Sequence, residues 1–270
     1  MASDAVLTLD GVTPTELGMG VFRRTQRPIL SPTVDMIATI PYMHGAYDFG
    51  ATMGPKPFAL ECAFIARDYL ELQQRVSNLA AFLLDDDGRP RTMPIVFAMD
   101  PSKQYSVRYS GDLPIDRLAG LGTFTLPFVA YDPYAYSVDS TYDLVTWDTP
   151  LPWGDLRWSD GFSFTLTGSG AAEVNNIGHL NAEPIIRITG AFSSLSLTFG
   201  GGTFEYYTPF SGTLEVDFKR KLVRSGTTSL MLNTNAWLFS KLPPGVSSII
   251  VGGSGINISM DVIFNFKYAS

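Results

Sequence analysis

The stretch Ile256-Asn257-Ile258-Ser259-Met260-Asp261-Val262-Ile263-Phe264-Asn265-Phe266-Lys267-Tyr268 decides the fold class of this chain. Every even position is apolar and every odd position except Ile263 is polar. Side chains on a β-strand point alternately to opposite faces, so a period of two describes a long strand with one buried and one wet face. Phe162, Phe164 and Leu166 repeat the pattern, as do Leu195, Leu197 and Phe199, and then Leu214, Val216 and Phe218. Gly168-Ser169-Gly170, Gly200-Gly201-Gly202 and Gly252-Gly253 separate these runs at close intervals. Short strands with frequent turns predict a β-sandwich rather than a parallel α/β sheet.

The first half reads as strands around one helix. Pro57 to Ile65, Ile95 to Met99, Tyr105 to Ser110 and Thr123 to Ala130 have strand character. Between them Tyr69, Leu72, Val76, Leu79 and Leu83 recur at helical spacing, and Asp68 with Glu71 three residues on forms a capping box. A helix near 68–85 with one apolar stripe must lie across a sheet. From Arg24 to Pro55 the pattern is punctuated by Pro28, Pro32, Pro41, Gly45, Gly50 and Gly54, which predicts a protruding hairpin or loop. Long excursions from a compact domain usually touch a partner.

The chain is therefore predicted to be mainly β, with an N-terminal sandwich over 1–136 and a C-terminal sandwich over 137–270. The last strand is long enough to return to the first domain. A hydrophobic content of 45% over 270 residues suffices for two cores. The net charge of −7 argues against a phosphate-gripping surface and sequence-specific nucleic-acid binding, although it would let a duplex pass without sticking. Met1-Ala2-Ser3-Asp4 lacks the basic start of a secretion signal, and no apolar run is long enough to insert in a membrane, so a chain made in the cytoplasm is expected. Cys62 is the single cysteine, which excludes an internal disulfide and a thiolate cluster.

Candidate chemistry is sparse. His44 and His179 are the two histidines, and neither accompanies a Gly-x-Ser-x-Gly elbow, so no catalytic residue is assigned. His44, beside Gly45, reads as a solvated or interface residue. Asp85-Asp86-Asp87-Gly88 lacks the spacing and the distant glutamate of a calcium loop. Gly253-Ser254-Gly255 precedes a strand and cannot be a phosphate loop, so no metal or cofactor is expected. Trp147, Trp153 and Trp158 lie within a dozen residues and could stack on sugar rings or pack as a lid between the domains.

Several blocks taken together resemble one family. They are Arg27-Pro28-Ile29-Leu30, Gly45-Ala46-Tyr47-Asp48-Phe49-Gly50, the single helix, and Leu126-Pro127-Phe128 through Asp132-Pro133-Tyr134. Asn176-Ile177-Gly178, Pro184-Ile185-Ile186-Arg187-Ile188 with Gly190, Leu214-Glu215-Val216-Asp217, Trp237 and Leu242-Pro243-Pro244-Gly245 continue the series to the closing strand. In this order they are similar to the distal tail (Dit) proteins of long-tailed, non-contractile bacteriophages.

The resemblance implies a non-enzymatic structural virion protein of the tail tip, or baseplate, assembled in the host cytoplasm. Its first domain would close into a homo-hexameric ring with a channel for DNA ejection, and its second would be a galectin-like (carbohydrate-binding-module-like) sandwich at the periphery. Implied partners are the tail tube protein and the tail-tip hub or tail-associated lysin protein, with the receptor-binding and tape measure proteins as further ones. The alternative is a host-recognition protein whose second sandwich binds carbohydrate. His179-Leu180-Asn181 mimics the start of the galectin sugar motif, but no arginine follows two residues after Asn181. Possible glycan or partner contacts are thus Trp147, Trp153, Trp158, His179 and Asn181.

Overall fold

A computed structural model describes residues 6–22, 26–118, 121–142, 161–235 and 239–269. The chain forms two compact units, Met1–Ala135 and Tyr136–Ala269.

The first unit runs β1 (Leu7–Leu9), β2 (Met19–Val21), β3 (Thr33–Ala38), β4 (Tyr47–Met53), β5 (Lys56–Ile65), α1 (Tyr69–Leu83), β6 (Thr92–Phe97), β7 (Asp100–Tyr109), β8 (Ile115–Leu118) and β9 (Leu121–Ala130). Its main sheet has the order β1-β6-β7-β9-β5-β2, with β8 also paired to β9. The strands are antiparallel, and β5 pairs with β9 along all ten residues, from Lys56 opposite Ala130 to Ile65 opposite Leu121. Phe58 on β5 and Phe97 on β6 are three strand positions apart, yet their ring centroids lie 6.0 Å from each other. On a flat sheet the separation would be roughly 14 Å. The sheet therefore curls over a core that includes Leu7, Leu60, Ile95, Val107, Leu126 and Phe128.

The helix begins where the sequence places its cap. The Asp68 carboxylate accepts from the Glu71 N–H at 2.8 Å, while Glu71 reaches back to the Arg67 N–H at 2.8 Å. The Glu71 carboxyl lies below the usual carboxylate range because the Arg67 N–H and the Arg75 side chain bond it. Leu72, Leu79 and Leu83 are buried, and Leu72 sits against Gly122 at the start of β9. One detail differs from the sequence reading. Tyr69 stands more than half exposed at the first turn, so the buried stripe starts at Leu72. Arg75 bonds the Gly18 carbonyl at 2.6 Å and Glu71 at 2.7 Å, tying the helix to the turn before β2.

Cys62 lies on β5 with 1% of its surface exposed, and burial pushes its thiol up to about 12. An unfolded thiol titrates near roughly 8.5, and only the thiolate is nucleophilic. Maleimide at pH 8 is therefore expected to leave Cys62 unlabelled in the folded protein and to label it fully in denaturant. Fast labelling of the folded chain would show that β5 opens readily.

Strand β10 (Ala135–Ser137) runs through the boundary, and the second unit contains β11 (Ser163–Leu166), β12 (Gly170–Asn176), β13 (Ile185–Phe192), β14 (Ser194–Phe199), β15 (Gly202–Tyr206), β16 (Phe210–Asp217), β17 (Leu222–Ser225), β18 (Thr228–Ser229), β19 (Gly245–Ser254), β20 (Asn257–Ile263) and β21 (Lys267–Tyr268). Two sheets, β11-β20-β13-β16-β17-β18 and β12-β19-β14-β15, make the two layers. Rings close the space between them: Phe192 of β13 meets Tyr206 of β15 edge-on at 5.5 Å, and Phe199 of β14 meets Phe218 at 5.0 Å.

The period of two at the C-terminus holds to its end. Ile256, Ile258, Met260, Val262, Phe264, Phe266 and Tyr268 are all buried. The ladder itself breaks after Ile263, because the backbone of Phe264 and Phe266 bonds side chains. Their N–H groups donate to the Thr141 and Ser137 hydroxyls at 3.0 Å each, and the Thr141 and Ser137 N–H groups donate back to their carbonyls at 2.9 Å. These bonds satisfy two hydroxyls that are fully or almost fully buried.

Candidate assembly interface

The excursion between β2 and β5 is a two-stranded hairpin. Strand β3 pairs with β4 from Thr33 opposite Met53 to Ala38 opposite Tyr47, with a bulge between Asp35 and Ile37. At its root Gly54 N–H donates to the Pro32 carbonyl at 2.7 Å, and a Cβ at Gly54 would lie 3.1 Å from that oxygen. Near its tip the Asp48 carboxylate accepts from the Gly50 N–H at 2.7 Å, where Gly50 has a φ of +95°.

All six residues of β3 and six of the seven in β4 are exposed. Many of the exposed residues are apolar: Val34, Met36, Ile37, Ile40, Tyr42, Tyr47 and Phe49 stand in water, with Ile29 80% and Phe49 71% exposed. A lone two-stranded ribbon is marginal, and a contiguous apolar patch on a soluble chain marks an interaction site. No Lys or Arg occurs from residue 28 to 55, so the segment offers apolar groups, hydroxyls, His44 and two aspartates for recognition. His44 is exposed in the same segment. The sequence reading located this excursion but not its apolar surface; the absence of lysine and arginine was the signal available.

The second unit offers a different arrangement. Asn176 is fully buried, and its amide donates to the carbonyls of Leu180 at 3.1 Å, Leu242 at 3.1 Å and Pro243 at 3.3 Å, while its oxygen accepts from the Gly178 N–H at 3.0 Å. One side chain thus joins the Asn176-Ile177-Gly178 and Leu242-Pro243 blocks. Replacing it by alanine removes all four hydrogen bonds, although the Leu242 carbonyl keeps the Ala182 N–H at 2.9 Å, and is expected to cost about 2–3 kcal/mol, read as a fall in thermal midpoint. An unchanged midpoint would mean that the two loops are held by other means.

His179 and Asn181 flank this hub with different neighbours. The His179 N–H donates to the Lys267 carbonyl at 2.9 Å, and its ring meets Tyr268 edge-on at 5.4 Å. Asn181 is exposed on the rim of a depression of about 510 Å³ walled by Gly200, Gly201, Gly202, Ser240 and Lys241. Trp147, Trp153 and Trp158 lie outside the described residues, as does Trp237. Asp85 caps a turn, accepting from the N–H groups of Asp87 and Arg89 at 3.1 and 2.7 Å. Among the described residues no group of three metal-ligating side chains converges.

Comparison with known proteins places these features. Residues 14–130 match the family model of the phage tail protein RIFT-related domain. The Dit protein (gp 19.1) of phage SPP1, described as a paradigm of the hub adsorption apparatus in phages infecting Gram-positive bacteria, has a similar structure. The alignment has a TM-score of 0.70 and 16% identity over 97% of this chain and 98% of that one. A chain of the phage p2 baseplate in its activated conformation with Sr aligns with a TM-score of 0.47 and 9% identity, over 94% and 92% of the two chains. No curated protein matches the sequence.

Proposed function

We propose that this chain, whose residues 14–130 form a phage tail protein RIFT-related domain and whose fold is that of a Dit hub protein, is the ring-forming adaptor at the distal end of a phage tail. Six copies close around a central channel through which DNA leaves, one face of the ring meeting the tail tube and the other the tail-tip hub or lysin protein. The second unit, as a galectin-like sandwich, stands at the periphery and holds receptor-binding proteins.

The observation that carries this reading is the apolar hairpin on the tail-protein domain, with Ile37 and Phe49 60% and 71% exposed. Repeated heterologous contact closes a ring when its rotation is fixed, and a projecting ribbon provides one such contact. The net charge of −7 suits a bore that passes DNA without retaining it. Light scattering after size exclusion tests the reading: the full chain, alone or mixed with its tail partners, is expected to run at six times the monomer mass. A chain that stays single with every tail protein offered would overturn it.

A second reading, carbohydrate recognition by the second sandwich, draws on the depression beside Asn181. A glycan array probed with the full chain and with Asn181→Ala separates the two. Binding that the substitution abolishes favours recognition, and an empty array leaves the adaptor.

A further inference from the structure

Lys56 opens β5 immediately after the hairpin, and only 1% of its surface is exposed. Its ammonium donates to the Ile29 carbonyl at 3.1 Å and to the Tyr105 hydroxyl at 3.2 Å, and lies 4.7 Å from the centre of the Tyr105 ring. An ammonium has three donors, and a buried one is normally matched by a carboxylate, because an isolated buried charge is costly. No ion pair among the described residues includes Lys56. Burial first, and then the like charge of Arg27, lower its pKa. A cavity of about 330 Å³ opens on this ammonium between Arg27, Phe97 and Lys103. The acid in its wall, Asp100, is already bound to Lys103 at 2.9 Å.

We propose that this cavity is a carboxylate socket, and that Asp35 from the hairpin of a second copy of the chain fills it. The inference rests on the ring reading above and names a contact within it. Charge complementarity selects the occupant: the hairpin carries two aspartates and no lysine or arginine, whereas the socket presents Lys56 and Arg27. The Asp48 carboxylate is engaged by the Gly50 N–H, while the Asp35 carboxylate, exposed at the bulge, makes no hydrogen bond or ion pair among the described residues. All six residues of β3 are exposed, so the Asp35 carboxylate is open to a neighbouring copy.

A double-mutant cycle tests the contact. Lys56→Met, Asp35→Asn and the double variant of the full chain are compared by light scattering across a dilution series, with thermal midpoints recorded for each. Each single substitution is expected to weaken self-association at least about tenfold, and the double variant no further than the worse single one. The midpoint of Lys56→Met should equal or exceed that of the parent, because an isosteric apolar chain replaces a buried charge. Asp35 is on the surface, so Asp35→Asn leaves folding out of its readout. Rings that form equally well in all three variants, or losses that multiply in the double variant, overturn the socket and leave the ring standing. A parent chain that forms no ring, alone or with any tail partner, overturns both.

Discussion

Replacing Ile37 and Phe49 together by aspartate is expected to abolish self-association while leaving the thermal midpoint within about 2 °C of the parent. Both side chains are mostly exposed and contribute little to either core. Surface substitutions away from caps and cores usually change stability by less than about 0.5 kcal/mol. At an interface the same positions are candidate anchors, and truncating an anchor costs roughly 2 kcal/mol or more. Two such losses correspond to about a thousandfold in association constant. Light scattering reads the first effect and calorimetry the second. Intact assembly in the variant would remove the hairpin from the interface, and a collapsed midpoint would show that it supports the fold of its own unit.

The second large effect lies in the sandwich. Gly190 on β13 has a φ of +142° and faces Gly212 on one neighbouring strand and Ile258 on the other. A Cβ there would lie 2.2 Å from the Asn257 carbonyl oxygen and 2.9 Å from the Ile258 Cα. Backbone surrounds the site, so neither the strain nor the clash is relieved by moving a side chain. Gly190→Ala is expected to cost on the order of 3–5 kcal/mol and to lower the midpoint of the second unit by about 10 °C or more. Gly168→Ala is the control, since a Cβ there meets nothing within 4 Å, and it should be close to neutral. A Gly190→Ala chain as stable as the control would mean that β13 can slide from β20 at little cost.

These two sites also show what the sequence could and could not reveal. The alternating run from Ile256 to Tyr268 was legible because burial parity is a local property of extended backbone, and it survives even where the ladder gives way to Ser137 and Thr141. The helix was legible from its cap and stripe, although Tyr69 was assigned to the wrong face, since a first-turn residue can point past the sheet edge. Gly190 stood in the sequence as part of a family-like block, but its reason is a carbonyl 67 residues away. Asn176 was the same kind of signal, a polar residue whose partners at Leu242 and Pro243 become neighbours only after the sandwich closes. Lys56 gave no signal at all, because a lysine at the start of a strand ordinarily reads as solvated.

The hairpin lies between these extremes. Its glycines and prolines announced an excursion, and turn residues of that kind hide the apolar content between them. The exposed surface becomes evident only when no second layer covers β3 and β4 within the described residues of the chain.

Annular symmetry is the property on which the adaptor role turns, and negative-stain class averages of the purified full chain, alone and mixed with its tail partners, measure it directly. Sixfold rings with an open centre are the expected result. Single-chain particles in every mixture, with no ring at any concentration, would contradict the account.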